Sequence, residues 1–152
     1  MFGTSEGAVL GAQLVAKLTQ TGERLPAALG FFAGSADMTR MGDSEGWLPV
    51  STGPLARETE FGVPLDDPVL SPIFSDLSRF PPTLLITSTR DFALSATSKF
   101  GRVLLDHGVD ARLVVFDGLP HAFWAYMPGI PETDAANALI ASFLKQKVSP
   151  VK

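Results

Sequence analysis

Thr83-Leu84-Leu85-Ile86-Thr87-Ser88 is the stretch on which the fold reading turns. It is apolar, partly β-branched and bounded by Pro81-Pro82, which reads as a strand buried in a sheet. Downstream, residues 92–106 carry Leu94, Phe100, Val103, Leu104 and Leu105 on roughly one side at helical spacing, and His107-Gly108 closes the run. Ala111-Arg112-Leu113-Val114-Val115-Phe116 reads as another strand, followed by a Gly- and Pro-bearing loop over 117–131. Pro131-Glu132-Thr133 opens a last helix through about Gln146, with acids in its first turn and Lys145 and Lys147 in its last, as the helix dipole favours. Upstream of Thr83, residues 34–82 form a long excursion rich in Pro, Gly, Ser and Asp, with one or two short helical turns expected. Before it, Pro26 to Ala33 reads as a short buried strand. Residues 5–21 read as a helix with Val9, Leu10, Leu14, Val15 and Leu18 on its apolar face and Gly22 as its stop.

Strands alternating with helices predict an α/β fold: a parallel sheet of about three strands with flanking helices and right-handed crossovers. The 152 residues are expected to form a single domain, 1–152, with 34–82 as an excursion within it. In such sheets reactive groups collect at the carboxyl ends of strands, so the residues just after each strand carry the most weight.

Composition narrows the function classes. Twelve Lys+Arg against sixteen Asp+Glu give a net charge of -4, which argues against a nucleic-acid partner. There is no cysteine, which excludes disulfides, thiolate catalysis and Cys-zinc sites. Two histidines argue against a His-rich metal site. Charged residues make up only 18% and the mean hydropathy is +0.22, so the apolar content either fills a core or leaves surface that needs a partner. Met1-Phe2-Gly3-Thr4-Ser5-Glu6 has no basic start or apolar run, and no stretch of 18 apolar residues occurs. No membrane partner and a cytoplasmic location are the expectations.

Gly3-Thr4-Ser5-Glu6-Gly7 matches G-x-S-x-G and runs straight into a helix. Such an elbow needs a serine on a tight, strained strand-to-helix turn, small neighbours, and an Oγ exposed at the helix N-terminus. The backbone N–H after the serine, that of Glu6, then faces a developing oxyanion. The pattern arises readily by chance, and Gly42-Asp43-Ser44-Glu45-Gly46 matches it too. No apolar strand precedes that second copy and Pro49 follows closely, so Ser44 reads as a decoy. Asp91 follows the strand at 83–88; by itself it reads equally as a helix cap. His121 follows the strand at 111–116; by itself it reads as a loop histidine, just as His107 reads as a helix end. Together, Ser5, Asp91 and His121 stand in the chain order of a nucleophile, acid and base triad.

At these residues the sequence resembles the carboxyl-terminal half of a bacterial esterase of the hormone-sensitive-lipase-like branch of α/β-hydrolases. The resemblance rests on Gly-Thr-Ser-Glu-Gly at 3–7, Leu-Asp-Asp-Pro-Val-Leu-Ser-Pro at 65–72, Phe-Pro-Pro-Thr-Leu-Leu-Ile-Thr-Ser-Thr-Arg-Asp at 80–91 and Leu-Pro-His-Ala-Phe at 119–123, and runs from Gly3 to about Leu144. It implies Ser5 as nucleophile, Asp91 as acid and His121 as base, a partial α/β-hydrolase fold, and no metal or organic cofactor. Glu6 stands where the family usually has Ala. A carboxylate some 5 Å from an oxyanion would oppose it by roughly 3 kcal/mol, whereas one turned to solvent at a helix N-terminus is favoured. By the same resemblance the amino-terminal half is missing, with the glycine-rich oxyanion loop, the cap and the first strands. Only Met1 and Phe2 remain of the strand feeding the elbow. The edge of the strand at 26–33 is then expected to lie open, a template for self-association into a homo-oligomer.

Two functions remain in view. One is a serine carboxylic-ester hydrolase for short acyl esters, a small-molecule substrate, with Phe31, Phe32, Trp47, Phe123 and Trp124 as candidates for an acyl pocket; the alternative for each is the core, where apolar side chains mainly lie. The other is a catalytically inactive hydrolase fragment that self-associates as a structural or binding module. The path of residues 1–5 separates them: paired against 26–33, they preorganise the elbow.

Overall fold

The computed structural model describes residues 1–47 and 62–148. Four strands, β1 (Phe2–Thr4), β2 (Leu29–Phe32), β3 (Thr83–Arg90) and β4 (Ala111–Pro120), lie side by side in chain order, and every pairing is parallel. The helices are α1 (Glu6–Thr21), α2 (Leu94–Asp106), the single turn α3 (Phe123–Tyr126) and α4 (Pro131–Val148). Among the described residues the 34–82 excursion holds 3-10 turns at Asp43–Trp47, Pro72–Phe74 and Leu77–Arg79.

Side chains alternate across each strand, so the sheet separates two apolar layers. Leu29, Phe31 and Leu85 face one side, where Ala8, Ala12, Val15 and Ala16 of α1 and Phe100 and Leu104 of α2 cover them. Two helices on one face follow from two crossovers of the same hand stepping in the same direction. Phe32, Leu84 and Ile86 face the other side and meet Phe123, Trp124 and, from α4, Ala136.

The sheet departs from the sequence expectation in three ways. It has four strands where about three are expected, because residues as few as Phe2, Gly3 and Thr4 pair with Gly30, Phe31 and Phe32. The Met1 ammonium anchors that ribbon by donating to the Ala28 carbonyl at 2.9 Å. As a result β2 is an interior strand, and among the described residues β1, not 26–33, is the edge strand on that side of the sheet. Finally, β4 runs on to Pro120, into the predicted loop. β3 is long enough for Arg90 to pair with Pro120 beyond a register shift, and Thr89 Oγ1 accepts the Gly118 N–H at 2.7 Å.

Helix α1 also buries a different stripe from the one its large residues suggest. Ala8, Gly11, Ala12, Val15, Ala16 and Thr19 face the sheet, while Leu10 and Leu14 are 65% and 44% exposed. Small side chains at spacings of three and four let the helix lie close to β1 and β2, and that approach outweighs burying the two leucines.

The loop after β2 is tied to α2 by a charge pair. Lys99 Nζ donates to Asp37 Oδ2 at 2.6 Å, and the other carboxylate oxygen accepts the Thr39 N–H at 2.9 Å and the Thr39 hydroxyl at 2.5 Å. Burial alone would push this carboxyl up, but the bonds from Lys99 and Thr39 outweigh it and hold it below the usual aspartate range. The pair therefore adds stability above the unfolded-state value of about 3.9, and that stability fades as pH falls through the lower folded value. Asp37→Asn is expected to lower stability at neutral pH and to flatten its acid dependence, read as urea midpoints between neutrality and acid. An unchanged acid limb would remove Asp37 from this account.

Candidate active site

The site begins with a backbone constraint. Ser5 sits between β1 and α1 at φ 56 and ψ -123, a region that residues with a side chain rarely occupy. Its N–H donates to the Phe32 carbonyl at 2.8 Å, and its carbonyl accepts the N–H groups of Ala8 at 2.9 Å and Val9 at 3.2 Å. The turn is so tight that a Cβ placed on Gly3 would lie 2.1 Å from the Gly7 carbonyl oxygen, so only glycine fits there. This is the physical content of the first glycine of the motif. Gly7, with open space around its Cα, carries no such constraint.

Asp91 and His121 reach the same point from the ends of β3 and β4. His121 Nε2 lies 2.9 Å from Ser5 Oγ, and His121 Nδ1 lies 2.7 Å from Asp91 Oδ1. Asp91 is fully buried. Its Oδ1 also accepts the Ala93 N–H at 2.8 Å, and its Oδ2 accepts the Thr87 hydroxyl at 2.9 Å. A buried carboxylate needs such partners, and they fix which oxygen faces the imidazole. Asp91 is not the N-cap of α2, which is Ala93; its side chain accepts the Ala93 N–H in the turn before the helix and also meets His121.

His121 is held on three sides. The Phe92 ring stacks on it, with centroids 4.2 Å apart and planes at 28°. Tyr126 donates its hydroxyl to the His121 carbonyl. Ala122 takes a left-handed conformation, φ 54, which turns the chain so that Phe123 and Trp124 dive into the core directly after the histidine. Trp124 Nε1 in turn donates to Thr4 Oγ1 at 3.2 Å, linking the histidine loop to the strand that feeds Ser5.

A cleft of about 350 Å³ opens beside Ser5. Its wall is made by Val9 and Leu10 at the start of α1, Met38 and Met41 of the loop after β2, and Phe92, with the Ser5 and Glu6 ends polar. This corrects the acyl-pocket expectation. Phe31 is fully buried in the α1–α2 layer, and Phe32, Phe123 and Trp124 fill the opposite layer; none of the four lines the cleft. They are positioned by core packing, because strand alternation and the turn at Ala122 aim them inward. The Trp47 side chain lies outside the described residues. Glu6 is exposed at the first turn of α1, and its N–H is among those a helix start leaves without an intrahelical acceptor.

The second G-x-S-x-G does not form an elbow. Ser44 is 1% exposed, on the 3-10 turn Asp43–Trp47, with its Oγ donating to the Phe92 carbonyl at 2.7 Å. His107 caps α2, with its Nδ1 2.8 Å from the Val103 carbonyl. Sequence reasoning missed Thr87, Phe92, Met38 and Met41. Thr87 and Phe92 had a legible signal in their spacing from Asp91, four residues before it on β3 and one residue after it. The two methionines had none, because only the return of the loop brings them to Ser5.

Among the described residues no helix is long and apolar enough to cross a membrane. The chain is 27% identical to an esterase of Acinetobacter venetianus, over 93% of this chain and 50% of that protein. A crystal structure of an esterase superposes with a TM-score of 0.83 at 39% identity, over 94% of this chain and 47% of the other. That of an esterase from the bacterial hormone-sensitive lipase family superposes with a TM-score of 0.82 at 27% identity, over 97% and 52%. The chain thus spans about half the length of the proteins it matches. The sequence profile of the α/β-hydrolase fold covers residues 1–125, most of the chain, and together with the elbow and the parallel sheet it shows that the chain belongs to the α/β-hydrolase fold family.

Proposed function

We propose that this chain carries the nucleophile, base and acid of a serine carboxylic-ester hydrolase acting on short acyl esters. The observation that supports it most directly is the unbroken hydrogen-bonded line Ser5 Oγ–His121–Asp91 at the mouth of an apolar cleft. Ser5 Oγ attacks the ester carbonyl while Nε2 of His121 takes its proton. Asp91 holds the ring in the tautomer with the proton on Nδ1 and stabilises the imidazolium. The Glu6 N–H binds the oxyanion of the tetrahedral intermediate. Collapse expels the alcohol, which takes the proton back from Nε2 and leaves an acyl group on Ser5. Water, activated by the same nitrogen, releases the acid and restores the serine. The esterase relatives favour an ester as substrate, and the cleft volume and its Val9, Met38, Met41 and Phe92 wall favour a short acyl chain.

A second reading, a catalytically inactive module that self-associates, is favoured by one surface. Among the described residues β1 is the edge strand on that side of the sheet, and its Phe2 is 62% exposed. An unpaired apolar strand edge is a pairing template, and a second copy of the chain is the occupant proposed here.

With p-nitrophenyl butyrate, the active reading expects a burst of nitrophenolate that Ser5→Ala abolishes. Asp91→Asn should lower kcat by on the order of 10³–10⁴, since it disturbs the tautomer, and His107→Ala should leave the rate unchanged. Turnover that survives in Ser5→Ala at the full rate rejects this mechanism. Light scattering after size exclusion tests the edge: a dimer or higher species that Phe2→Lys converts to monomer is expected, and a monomer for the parent chain rejects the pairing.

A further inference from the structure

The decoy serine has a task. Ser44 Oγ donates to the Phe92 carbonyl at 2.7 Å and accepts the Ser95 N–H at 2.9 Å, and the Ser44 N–H donates to Ser95 Oγ at 3.1 Å. Two serines far apart in the chain therefore each accept the other's backbone N–H. The pair is buried at Ser44 and packed tightly: at Gly42, φ 102, an added Cβ would lie 2.7 Å from Ser95 Cβ, so nothing larger than glycine lets the loop seat there. Met41, Ala93 and Ala96 form a small apolar cluster around it, with Phe92 packed against them. The result is a clamp on residues 92–95, the turn between Asp91 and α2. Phe92 projects from that turn, stacks on His121 and closes one side of the cleft.

We infer that Ser44 is a positioning residue for His121, acting through the Phe92 ring. The inference rests on the proposed role of His121 as base. A stacked ring leaves an imidazole free to shift in its own plane but blocks rotation about its Cβ–Cγ bond, the motion that would carry Nε2 away from Ser5. It also presents a π face to the ring that takes up positive charge during attack. Ser44 sets the height of Phe92 because the carbonyl it grips belongs to Phe92 itself. Without the hydroxyl, the Phe92 carbonyl and the Ser95 N–H lose a buried partner, and the turn relaxes to find others.

The test uses the two histidines of the chain. Stacking on Phe92 displaces the His121 ring-proton resonances through the ring current, and His107, exposed at the end of α2, serves as the internal reference. Phe92→Leu should move the His121 signals and leave those of His107 in place. Ser44→Ala should reproduce most of that displacement, and the double variant should add little to it. Ser44→Cys fills the same space with a poor hydrogen-bonding group and should do likewise; it replaces Ser44→Ala if the latter does not fold. Ser44→Thr, which keeps the hydroxyl, should hold the parent position. Sulfonylation of Ser5 by phenylmethylsulfonyl fluoride should slow about tenfold or more in Ser44→Ala. His121 signals that stay in place in Ser44→Ala and Ser44→Cys, while Phe92→Leu moves them, overturn the inference. The resonances need no turnover, so this failure is distinct from a failure of Ser5 to acylate.

Discussion

The site depends on one strained residue. Ser5 holds a backbone conformation that costs about 1–3 kcal/mol, and the surrounding bonds leave it no alternative. Its N–H is taken by β2 and its carbonyl by the first turn of α1, and Gly3 and Gly7 touch where any larger first residue would clash. The strain does two things together. It turns the chain from strand to helix in a single residue, and it lifts the side chain out of the sheet edge toward the space where β3 and β4 end. The weak point of the scaffold is the short β1, whose pairing with β2 transmits the constraint.

Around that residue, polar and apolar groups divide the labour. Asp91 is dry and fully bonded, so its charge is directed at His121. His121 is placed by aromatic packing: Phe123 and Trp124 anchor the chain after it, and Phe92 covers its face. Phe123 and Trp124 therefore act on the Ser5–His121–Asp91 geometry from the core, while Phe92 both covers His121 and forms part of the cleft wall. The cleft wall falls to flexible methionines and to the exposed end of α1, where a leucine left out of the core by the small-residue packing of α1 finds a use.

The two G-x-S-x-G stretches show how little a local pattern carries alone. At Ser5, three residues of strand lead into the serine and a long helix follows it, so the glycines permit an elbow. At Ser44 the flanks are a turn and a 3-10 helix, and the hydroxyl is spent inside a hydrogen-bonded pair with Ser95. The same five-residue pattern yields a half-buried serine lining a cleft in one place and a buried clamp in the other, decided by the backbone on either side.

By itself the sequence determined the alternation of strands and helices, the parallel sheet and the grouping of Ser5, Asp91 and His121 at strand ends, because hydrophobic period and chain order are local properties. Only the tertiary structure decided that β1 forms at all, that β4 extends to Pro120, that α1 buries its alanines instead of its leucines, and that Phe32 and Trp124 are core while Met38 and Met41 face the cleft. Each of these turns on which surface a segment meets, and a three-residue strand or a small-residue stripe has no meaning until a partner lies against it. Local preference sets what a segment can be; the close packing of distant segments selects which of those possibilities is kept.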